Sequence, residues 1–240
     1  MSFFDNIAKK LLKKAVLTEK CLIAEHTYHI RLAGDELLQL PYTPGEHMRI
    51  MITGKIPTSL SEKVRTYSVW QYDPEEGILD MAICTYSNGV GARWVQDIQV
   101  GEMVYFAGPR GNFTIDTTGD FYVFVGDVSS LAHFYELKRN LDSTKKIYSL
   151  MYAEQSADFF PDITNKKALA FYQLPLNPIN VLREELASLL SPTQGKGIVY
   201  VGGDSRVCVD LNRFFRKELA WENKQVKTKP FWNPLKTGLE

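Results

Sequence analysis

The stretch Val64–Trp70 reads VRTYSVW, and its β-branched and aromatic residues predict a strand. Alternate side chains of a strand point to the same face, so Arg65 and Tyr67 share one face, while the backbone at Thr66 and Ser68 stays available for hydrogen bonds. Arginine pairs with phosphate, tyrosine stacks on a flat ring, and serine hydrogen-bonds a ring nitrogen. These are the groups that bind a flavin, although the same residues also suit an ordinary edge strand.

The composition indicates a globular protein without an overall electrostatic preference. The 240 residues are 45% hydrophobic, which is enough for one large or two smaller domains. Lys plus Arg and Asp plus Glu both number 28, so the formal net charge is zero. We therefore expect no nucleic-acid partner, and any charge-driven partner must use a local patch.

The N-terminal segment Met1–Lys14 is amphipathic and rich in lysine. It lacks the apolar length of a signal peptide or a membrane span, so we expect no stable membrane insertion and a cytoplasmic location. A short helix that covers a domain edge is the expected structure, and attachment to a membrane surface is the alternative.

The cysteines and histidines form no recognisable site in the sequence. The three cysteines make no CxxC pattern and no close pairing with histidine, so we predict neither a disulfide framework nor a metal site. The histidines lie in strand or helix patterns rather than in a Ser-His-Asp signature, and we expect them to be structural. These residues are Cys21, Cys84, Cys208, His26, His29, His47 and His133.

The first half of the chain predicts a six-stranded antiparallel β-barrel, because short β-rich runs alternate with turn residues such as Pro44-Gly45. The runs cover residues 15–24, 27–32, 47–52, 64–71, 78–85 and 103–107. Helix-compatible residues at 91–96 interrupt the series after Asn88-Gly89.

The second half predicts a parallel sheet covered by helices, because fully apolar runs alternate with helical patterns. Strands are expected at 121–125, 147–153, 168–172 and 198–201, and helices at 129–140, 157–162, 178–190 and 206–219. The polar connector 114–119 separates the halves, so we predict domains of residues 1–116 and 117–240.

Three glycine-containing segments lie where ligands often bind. Gly126-Asp127 and Gly203-Asp204 follow apolar runs of the second half, but neither segment has a GxGxxG pattern, and both also suit ordinary helix caps. Gly89–Trp94 leads into a helix in the first half, where exposed backbone N–H groups can approach a pyrophosphate. A tight turn with a buried Trp94 is the alternative interpretation of that segment.

The order of these motifs resembles the ferredoxin-NADP reductase superfamily, and within it the siderophore-interacting proteins, which are FAD-dependent ferric-siderophore reductases. The resemblance covers about residues 16–238. Its motifs are Pro44–His47, Arg65–Ser68, Gly89–Trp94, Gly101-Glu102, Gly108–Gly111, Gly126-Asp127 and Phe231-Trp232.

The resemblance implies a β-barrel FAD domain followed by an α/β domain of the NAD(P)H-binding type. It implies Arg65 on the phosphate, Tyr67 against the isoalloxazine and Ser68 near its N5, which makes Tyr67 and Ser68 the catalytic residues. It places the amides of Gly91 and Ala92 at the pyrophosphate. Further FAD contacts are expected from Thr66, Ile83, Thr85 and Arg93.

The resemblance also implies a reaction in which reduced flavin passes electrons to an iron(III) chelate, with NAD(P)H or reduced ferredoxin as the donor. The chelator supplies the iron ligands, so the protein needs no metal ligands of its own. A basic surface beside the flavin would suit an anionic chelate. The candidate residues for that surface are Lys55, Lys63, Arg110, Lys229 and Lys236.

Several positions depart from the family pattern. Trp70 stands where a second arginine is usual, Val90 where a proline is usual, and Asn233 where an arginine is usual. Ala92 replaces a frequent hydroxyl residue, and residues 126–132 read GDVSSLA instead of GDETALP. We expect a monomer, and two alternatives stay open: a general NAD(P)H-flavin or ferredoxin reductase, and a non-catalytic binding protein with a flavin fold.

Overall fold

The computed structural model describes residues 12–52, 63–87, 89–191 and 193–235. The chain divides into two compact units after Asn112, close to the predicted division after residue 116. The first unit is antiparallel β-sheet and the second is a parallel α/β sheet, which confirms the predicted fold class.

The described residues of the first unit form seven antiparallel strands in the order β4-β3-β7-β1-β2-β6-β5. Strands β4 and β5 end this order and yet follow each other directly in the chain, so the sheet curls into a barrel. The strands are β1 Lys13–Ala24, β2 Thr27–Ala33, β3 His47–Met51, β4 Val64–Ser68, β5 Gln71–Asp73, β6 Ile78–Cys84 and β7 Met103–Arg110.

The predicted run 64–71 divides into β4 and β5, which raises the strand count from six to seven. Val69 and Trp70 between them are both buried, so the alternation of a single strand is broken there. The Trp70 amide donates to the carbonyl of Asp80 on β6, whereas β4 pairs with β3. The chain therefore changes pairing partner at Trp70.

The barrel interior consists of the inward side chains of the strands and one face of a helix, α1 (Val90–Asp97). This helix lies where residues 91–96 interrupt the strand pattern. Trp94 and Val95 on its inner face are buried in the barrel core. Helix α1 is thereby fixed against the interior by its apolar residues.

The second unit is a five-stranded parallel sheet in the order β10-β9-β8-β11-β12. Every residue of the two central strands, β8 and β11, is buried, in agreement with their apolar sequences. The strands are β8 Phe121–Asp127, β9 Lys146–Ala153, β10 Phe171–Gln173, β11 Gly197–Asp204 and β12 Val226–Trp232. The helices are α2 Leu131–Arg139, α3 Ile179–Leu190 and α4 Ser205–Arg213.

Four local predictions differ from the structure. Strand β12 was missed because Pro230 interrupts its pattern; as an edge strand it tolerates the missing N–H.

The predicted helix 157–162 is only a 3-10 turn at Ser156–Asp158. The predicted helix 206–219 ends as α-helix at Arg213 and continues as a π-helical turn. Lys13 and Lys14 begin β1 rather than extend a helix, and residues 1–11 lie outside the described part.

Within the described ranges, we find no helix that has both the length and the apolar character needed to span a membrane.

Candidate functional site

Strand β4 carries the four residues predicted to hold the flavin. Arg65, Thr66, Tyr67 and Ser68 are all half-buried, so none is lost in the barrel core. The register opposite β3 pairs Ile50 with Arg65 and Met48 with Tyr67. Since Arg65 and Tyr67 are two residues apart on a regular strand, they share one face, as predicted.

Gly91 in the first turn of α1 packs against both of these side chains. A Cβ atom at Gly91 would overlap the Tyr67 hydroxyl and lie 3.5 Å from Cγ of Arg65. Glycine is therefore required by the close approach of the helix to β4, and not by its backbone dihedral angles. The structure thus brings Arg65, Tyr67 and Gly91 together, although they are separated by up to 26 residues of sequence.

The start of helix α1 suits an anion. Its N-cap is Gly89, whose extended backbone provides no side-chain cap. The first N–H groups of any helix lack acceptors within the helix, and the helix dipole adds partial positive charge there. A phosphate group is the natural acceptor at such a position.

Trp94 contributes a further polar group near Tyr67. The two rings are nearly parallel, at an interplanar angle of 20° and with centroids 6.3 Å apart. Trp94 is only 2% exposed, and its Nε1 has no hydrogen-bond partner among the described residues. The alternative interpretation of Trp94 as a buried anchor is therefore correct for its ring, and its indole N–H remains an unpaired donor.

The glycine-rich end of β7 packs beside Ser68. His47 of β3 lies opposite both Ser68 and Arg110 in the register. Gly111 has a positive φ of 114°, and a Cβ there would lie 2.7 Å from Nδ1 of His47. The segment Gly108–Gly111 thus shapes the barrel next to Ser68.

Other predicted FAD contacts have different surroundings. The Ile83 side chain is 1% exposed and belongs to the barrel core, and the Thr85 hydroxyl donates to the carbonyl of His26. Ala92 is buried and Arg93 is exposed on α1. A binding role for these four residues stays a prediction.

Of the predicted basic residues that the structure describes, Lys63 and Arg110 lie at different ends of β3. Lys63 lies just before β4, beside the end of β3, whereas Arg110 pairs with His47 at the start of β3. Five strand residues separate these positions, a distance of roughly 15 Å. Lys229 is a half-buried residue of β12 in the second unit, and Lys55 and Lys236 lie outside the described residues.

Trp70, where the family pattern has an arginine, is 4% exposed. Its ring meets the edge of the His29 imidazole at 86°, with centroids 5.3 Å apart. His29 Nε2 lies 2.6 Å from the Asp80 carboxylate, which also accepts a hydrogen bond from Arg31. The Trp70 side chain, which replaces the usual arginine, thus covers a polar cluster formed by His29, Asp80 and Arg31.

The Gly-Asp junctions of the second unit are closed by the protein itself. Asp127 at the end of β8 is fully buried and accepts hydrogen bonds from the Ser129 amide and hydroxyl and from the Asp204 amide. It also accepts from Nε1 of Trp232 at 2.8 Å. A Cβ at Gly203, whose φ is +107°, would overlap this carboxylate. Asp127 therefore joins β8, β11 and β12.

Asp204 closes the second junction in a similar way. Its carboxylate caps α4 through the Arg206 amide and pairs with the Arg206 guanidinium at 2.6 Å. Asn233 donates to the Ser205 hydroxyl at 2.7 Å. The helix-cap interpretation of both Gly-Asp motifs is thus supported. Apart from the aromatic Phe231-Trp232 pair itself, no sequence pattern indicates the contact of Trp232 with Asp127.

Comparison with known proteins agrees with this arrangement. Residues 14–115 match an oxidoreductase FAD-binding domain, and residues 119–234 match the siderophore-interacting protein domain. The chain is 30% identical over 166 residues to NADH-cytochrome b5 reductase 1 of Debaryomyces hansenii, a match that covers 65% of this chain. It spans only 55% of that relative's length.

Two solved structures share the fold over nearly their whole length. A siderophore utilization protein from T. fusca has a TM-score of 0.78 at 16% identity, with 95% of each chain covered. The siderophore-interacting protein SipS from Aeromonas hydrophila has a TM-score of 0.77 at 18% identity, covering 93% of this chain and 92% of that one.

The barrel, the parallel sheet and the two matched domains define an oxidoreductase of the ferredoxin-NADP reductase-like class with a FAD-binding domain. Within that class, the match of residues 119–234 to the siderophore-interacting protein model, together with the shared fold, supports the siderophore-interacting protein family.

The residues around Gly91 fit FAD. Among the described residues, the N-terminus of α1 has no side-chain cap, Arg65 lies beside its first turn, and the buried Nε1 of Trp94 has no hydrogen-bond partner. These features match the needs of a pyrophosphate, which requires backbone N–H donors and a cation.

Proposed function

We propose that this protein is a FAD-dependent oxidoreductase that reduces iron(III) in ferric siderophores or related chelates and releases iron(II). The observation that carries the proposal is the convergence of Arg65 and Tyr67 on Gly91 at the uncapped start of α1. This convergence occurs in a chain whose second half matches the siderophore-interacting protein domain.

Each residue at this position has a distinct role in the proposal. Arg65 neutralises a phosphate, and the amides of Gly91 and Ala92 donate to the pyrophosphate. Tyr67 would pack against the flavin ring and exclude water from it, and the Ser68 hydroxyl would donate a hydrogen bond to N5. Bound FAD would supply the electron-transfer chemistry, and these side chains would bind and orient it.

The substrate carries its own iron ligands, so a chelate needs only access to the flavin and a complementary charge. In this proposal, Lys63 and Arg110 of the barrel are separate candidate contacts for an anionic chelate, and Lys229 is a candidate contact in the second unit. NAD(P)H or a reduced ferredoxin is the electron donor in this proposal. The protein is proposed to act as a monomer in the cytoplasm.

An anaerobic experiment tests the reaction. The FAD-loaded protein is reduced and mixed with ferric hydroxamate and ferric catecholate chelates, while flavin reoxidation is followed by absorbance and iron(II) is trapped with ferrozine. We expect reoxidation to accompany the appearance of iron(II). If no chelate reoxidises the flavin, the proposed reaction is wrong.

A general NAD(P)H-dependent reductase is the second candidate, favoured by the similarity to NADH-cytochrome b5 reductase 1. It predicts fast reduction of the bound flavin by NAD(P)H and no preference among chelates. A non-catalytic binding protein predicts a colourless protein that does not take up FAD. The same reduced-flavin experiment, preceded by FAD titration, separates the three functions.

Arg65→Ala tests the proposed site. Loss of a charge-assisted phosphate contact weakens FAD binding by about 1.5–3 kcal/mol, or roughly 10- to 100-fold in Kd. Arg49→Ala is the matched control, because Arg49 is an exposed arginine on the neighbouring strand, opposite Thr66. Fluorescence titration of FAD into each variant measures the difference, and equal affinities would reject the assigned role of Arg65.

A further inference from the structure

A cluster of potential metal ligands lies on the outer face of strands β1, β2 and β6. The hairpin register places Cys21 opposite His29 and Glu19 opposite Arg31, and the next pairing places Arg31 opposite Asp80. Linear spacing predicts no close cysteine-histidine pair, because Cys21 and His29 are eight positions apart. Cross-strand pairing nevertheless brings them together.

Three donor atoms of this cluster converge. A carboxylate oxygen of Glu19, Sγ of Cys21 and Nδ1 of His29 all lie within 4.8 Å of one another. His29 Nδ1 is 3.8 Å from Cys21 Sγ and 3.8 Å from Oε1 of Glu19. In a tetrahedral zinc site, bond lengths of about 2.0–2.3 Å place ligand atoms roughly 3.3–3.6 Å apart. Small side-chain adjustments would therefore give metal-binding distances.

The opposite side of His29 is already arranged as in a metal site. Its Nε2 lies 2.6 Å from Oδ1 of Asp80, and Asp80 is fully buried. Metal-bound histidines commonly donate their second ring N–H to a carboxylate, which fixes the tautomer and the ring orientation. A proton on Nε2 leaves the lone pair of Nδ1 directed toward Cys21 and Glu19.

Neighbouring residues hold the ligands in place. Arg31 donates to Asp80 at 2.8 Å and lies 3.3 Å from Oε2 of Glu19, so the other oxygen of Glu19 faces His29. The Trp70 ring contacts the imidazole edge-on. Glu19 and Cys21 are exposed, so a metal ion can reach the cluster from solvent.

Two other functions of the cluster are less consistent with the contacts. A nucleophilic cysteine requires a lowered pKa, but burial and then the Glu19 carboxylate raise the pKa of Cys21. A simple ion-pair network explains the contacts of Asp80 with His29 and Arg31. It gives no role to the Cys21 thiol beside Nδ1 of His29.

We propose that Glu19, Cys21 and His29 bind a zinc ion, with Asp80 orienting His29 and a fourth coordination position open to water. The mixture of thiolate, imidazole and carboxylate ligands suits zinc better than the hard cations Mg²⁺ or Ca²⁺. Such an ion would connect β1 to β2 across the hairpin, and none of its three ligands is a residue proposed to hold FAD.

Metal binding is measured on the FAD-loaded full chain after treatment with a chelator. Zinc affinity is determined by competition with a chromogenic chelator, and cobalt(II) serves as the spectroscopic probe. We expect one metal ion per chain, a thiolate-to-cobalt charge-transfer band and the intense visible bands of tetrahedral cobalt. Absence of binding to the wild-type protein overturns the proposal.

Matched variants identify the ligands. Cys21→Ser should remove the thiolate-to-cobalt band and weaken zinc binding at least tenfold, whereas Cys84→Ser, on the same barrel, should change neither. Glu19→Gln should weaken binding, and Glu75→Gln, in an exposed turn, should not. Asp80→Asn should lower zinc affinity about 10- to 100-fold while the thiolate band persists at saturating cobalt.

The controls make each outcome decisive. Cys21 and Glu19 are exposed, so their substitution should leave the circular dichroism spectrum and FAD content unchanged. Equal losses in Cys21→Ser and Cys84→Ser would mean nonspecific thiol binding and would overturn the site. Unchanged zinc affinity in both Cys21→Ser and Glu19→Gln would favour the ion-pair network instead.

Discussion

The strand-to-helix junctions of the two units are built in opposite ways. In the barrel, α1 begins at Gly89 without a side-chain cap, and half-buried Arg65 and Tyr67 lie beside its first turn. In the α/β unit, the carboxylates of Asp127 and Asp204 occupy the junctions themselves. A glycine-containing junction therefore indicates a ligand site only where no protein group already satisfies its N–H donors.

This difference explains why similar motifs have different roles. A side chain at Gly91 would collide with the Tyr67 hydroxyl of β4, and Arg65 of the same strand also approaches the helix. Because the Gly89 N-cap has no side chain to accept from the first N–H groups of the helix, an anion can accept from them instead. Gly203 is small because the Asp127 carboxylate fills the adjacent space. The Gly-Asp motif of β11 thus serves the internal packing of the sheet.

The largest expected effect comes from opening the closed junction. Asp127→Ala leaves the Trp232 indole N–H and the amides of Asp204 and Ser129 without their acceptor. An unsatisfied buried donor costs about 1–3 kcal/mol, and two of these three donors are only half-buried, so we expect the α/β unit to lose roughly 3–5 kcal/mol of stability. Thermal unfolding, with hydrogen exchange of β8, β11 and β12, measures the loss.

Asp142→Ala provides the control, because Asp142 makes similar turn contacts with Thr144 on the exposed surface. We expect FAD affinity to be unchanged in both variants, since the proposed cofactor contacts lie on the barrel. A loss below about 1 kcal/mol for Asp127→Ala would mean that water replaces the carboxylate, and that the junction is not closed as described.

The fold was predictable because most strands obey simple patterns. The apolar runs of β8 and β11 predicted buried parallel strands, and the barrel strands alternate between core and solvent. Strand β12 could not be found in the same way, because it contains Pro230 and pairs with β11 on one side only. It is held by its pairing with β11 and by the Asp127–Trp232 hydrogen bond, which joins residues 105 positions apart.

The candidate site was predictable in part. Strand periodicity correctly placed Arg65 and Tyr67 on one face, but the approach of Gly91 to both depends on how α1 packs against the core through Trp94. Cys21 and His29 show the converse, since the register of a hairpin turning at Glu25-His26 fixes their opposition. The linear spacing of the two residues does not show this opposition, whereas the register of the hairpin does.

The second effect concerns the open junction of the barrel. Gly91→Ala places a methyl group against the Tyr67 hydroxyl and so displaces Tyr67. Alanine favours the helix itself, so the protein should remain folded. We expect FAD to bind about tenfold more weakly, which corresponds to roughly 1.4 kcal/mol.

Gly89→Ala is the matched control for this glycine. A Cβ at Gly89 would meet only the Ser87 hydroxyl, at 3.3 Å, and its φ of −70° is accessible to alanine. We expect a change in FAD affinity of less than about twofold in this variant. Isothermal titration of FAD compares the two variants, and equal weakening in both would show that the contact of Gly91 with Tyr67 is irrelevant to binding.

The smallest expected effect concerns the ion pair between Asp116 and Lys227, and it tests whether this pair stabilises the α/β unit. Burial alone would raise the pKa of Asp116, but hydrogen bonds from Thr118 and the nearby Lys227 ammonium outweigh it and hold the pKa below its usual value. A depressed folded-state pKa stabilises the fold above the unfolded pKa of about 3.9, and this stabilisation is lost as the pH falls through the folded value.

Asp116→Asn should therefore lower stability by about 0.5–1 kcal/mol at pH 7, and the difference from wild type should shrink below about pH 4. Urea unfolding at both pH values, with Lys227→Met and the double variant completing a cycle, isolates the ion pair. A difference that persists undiminished in acid would assign the effect to the amide substitution and not to the charge.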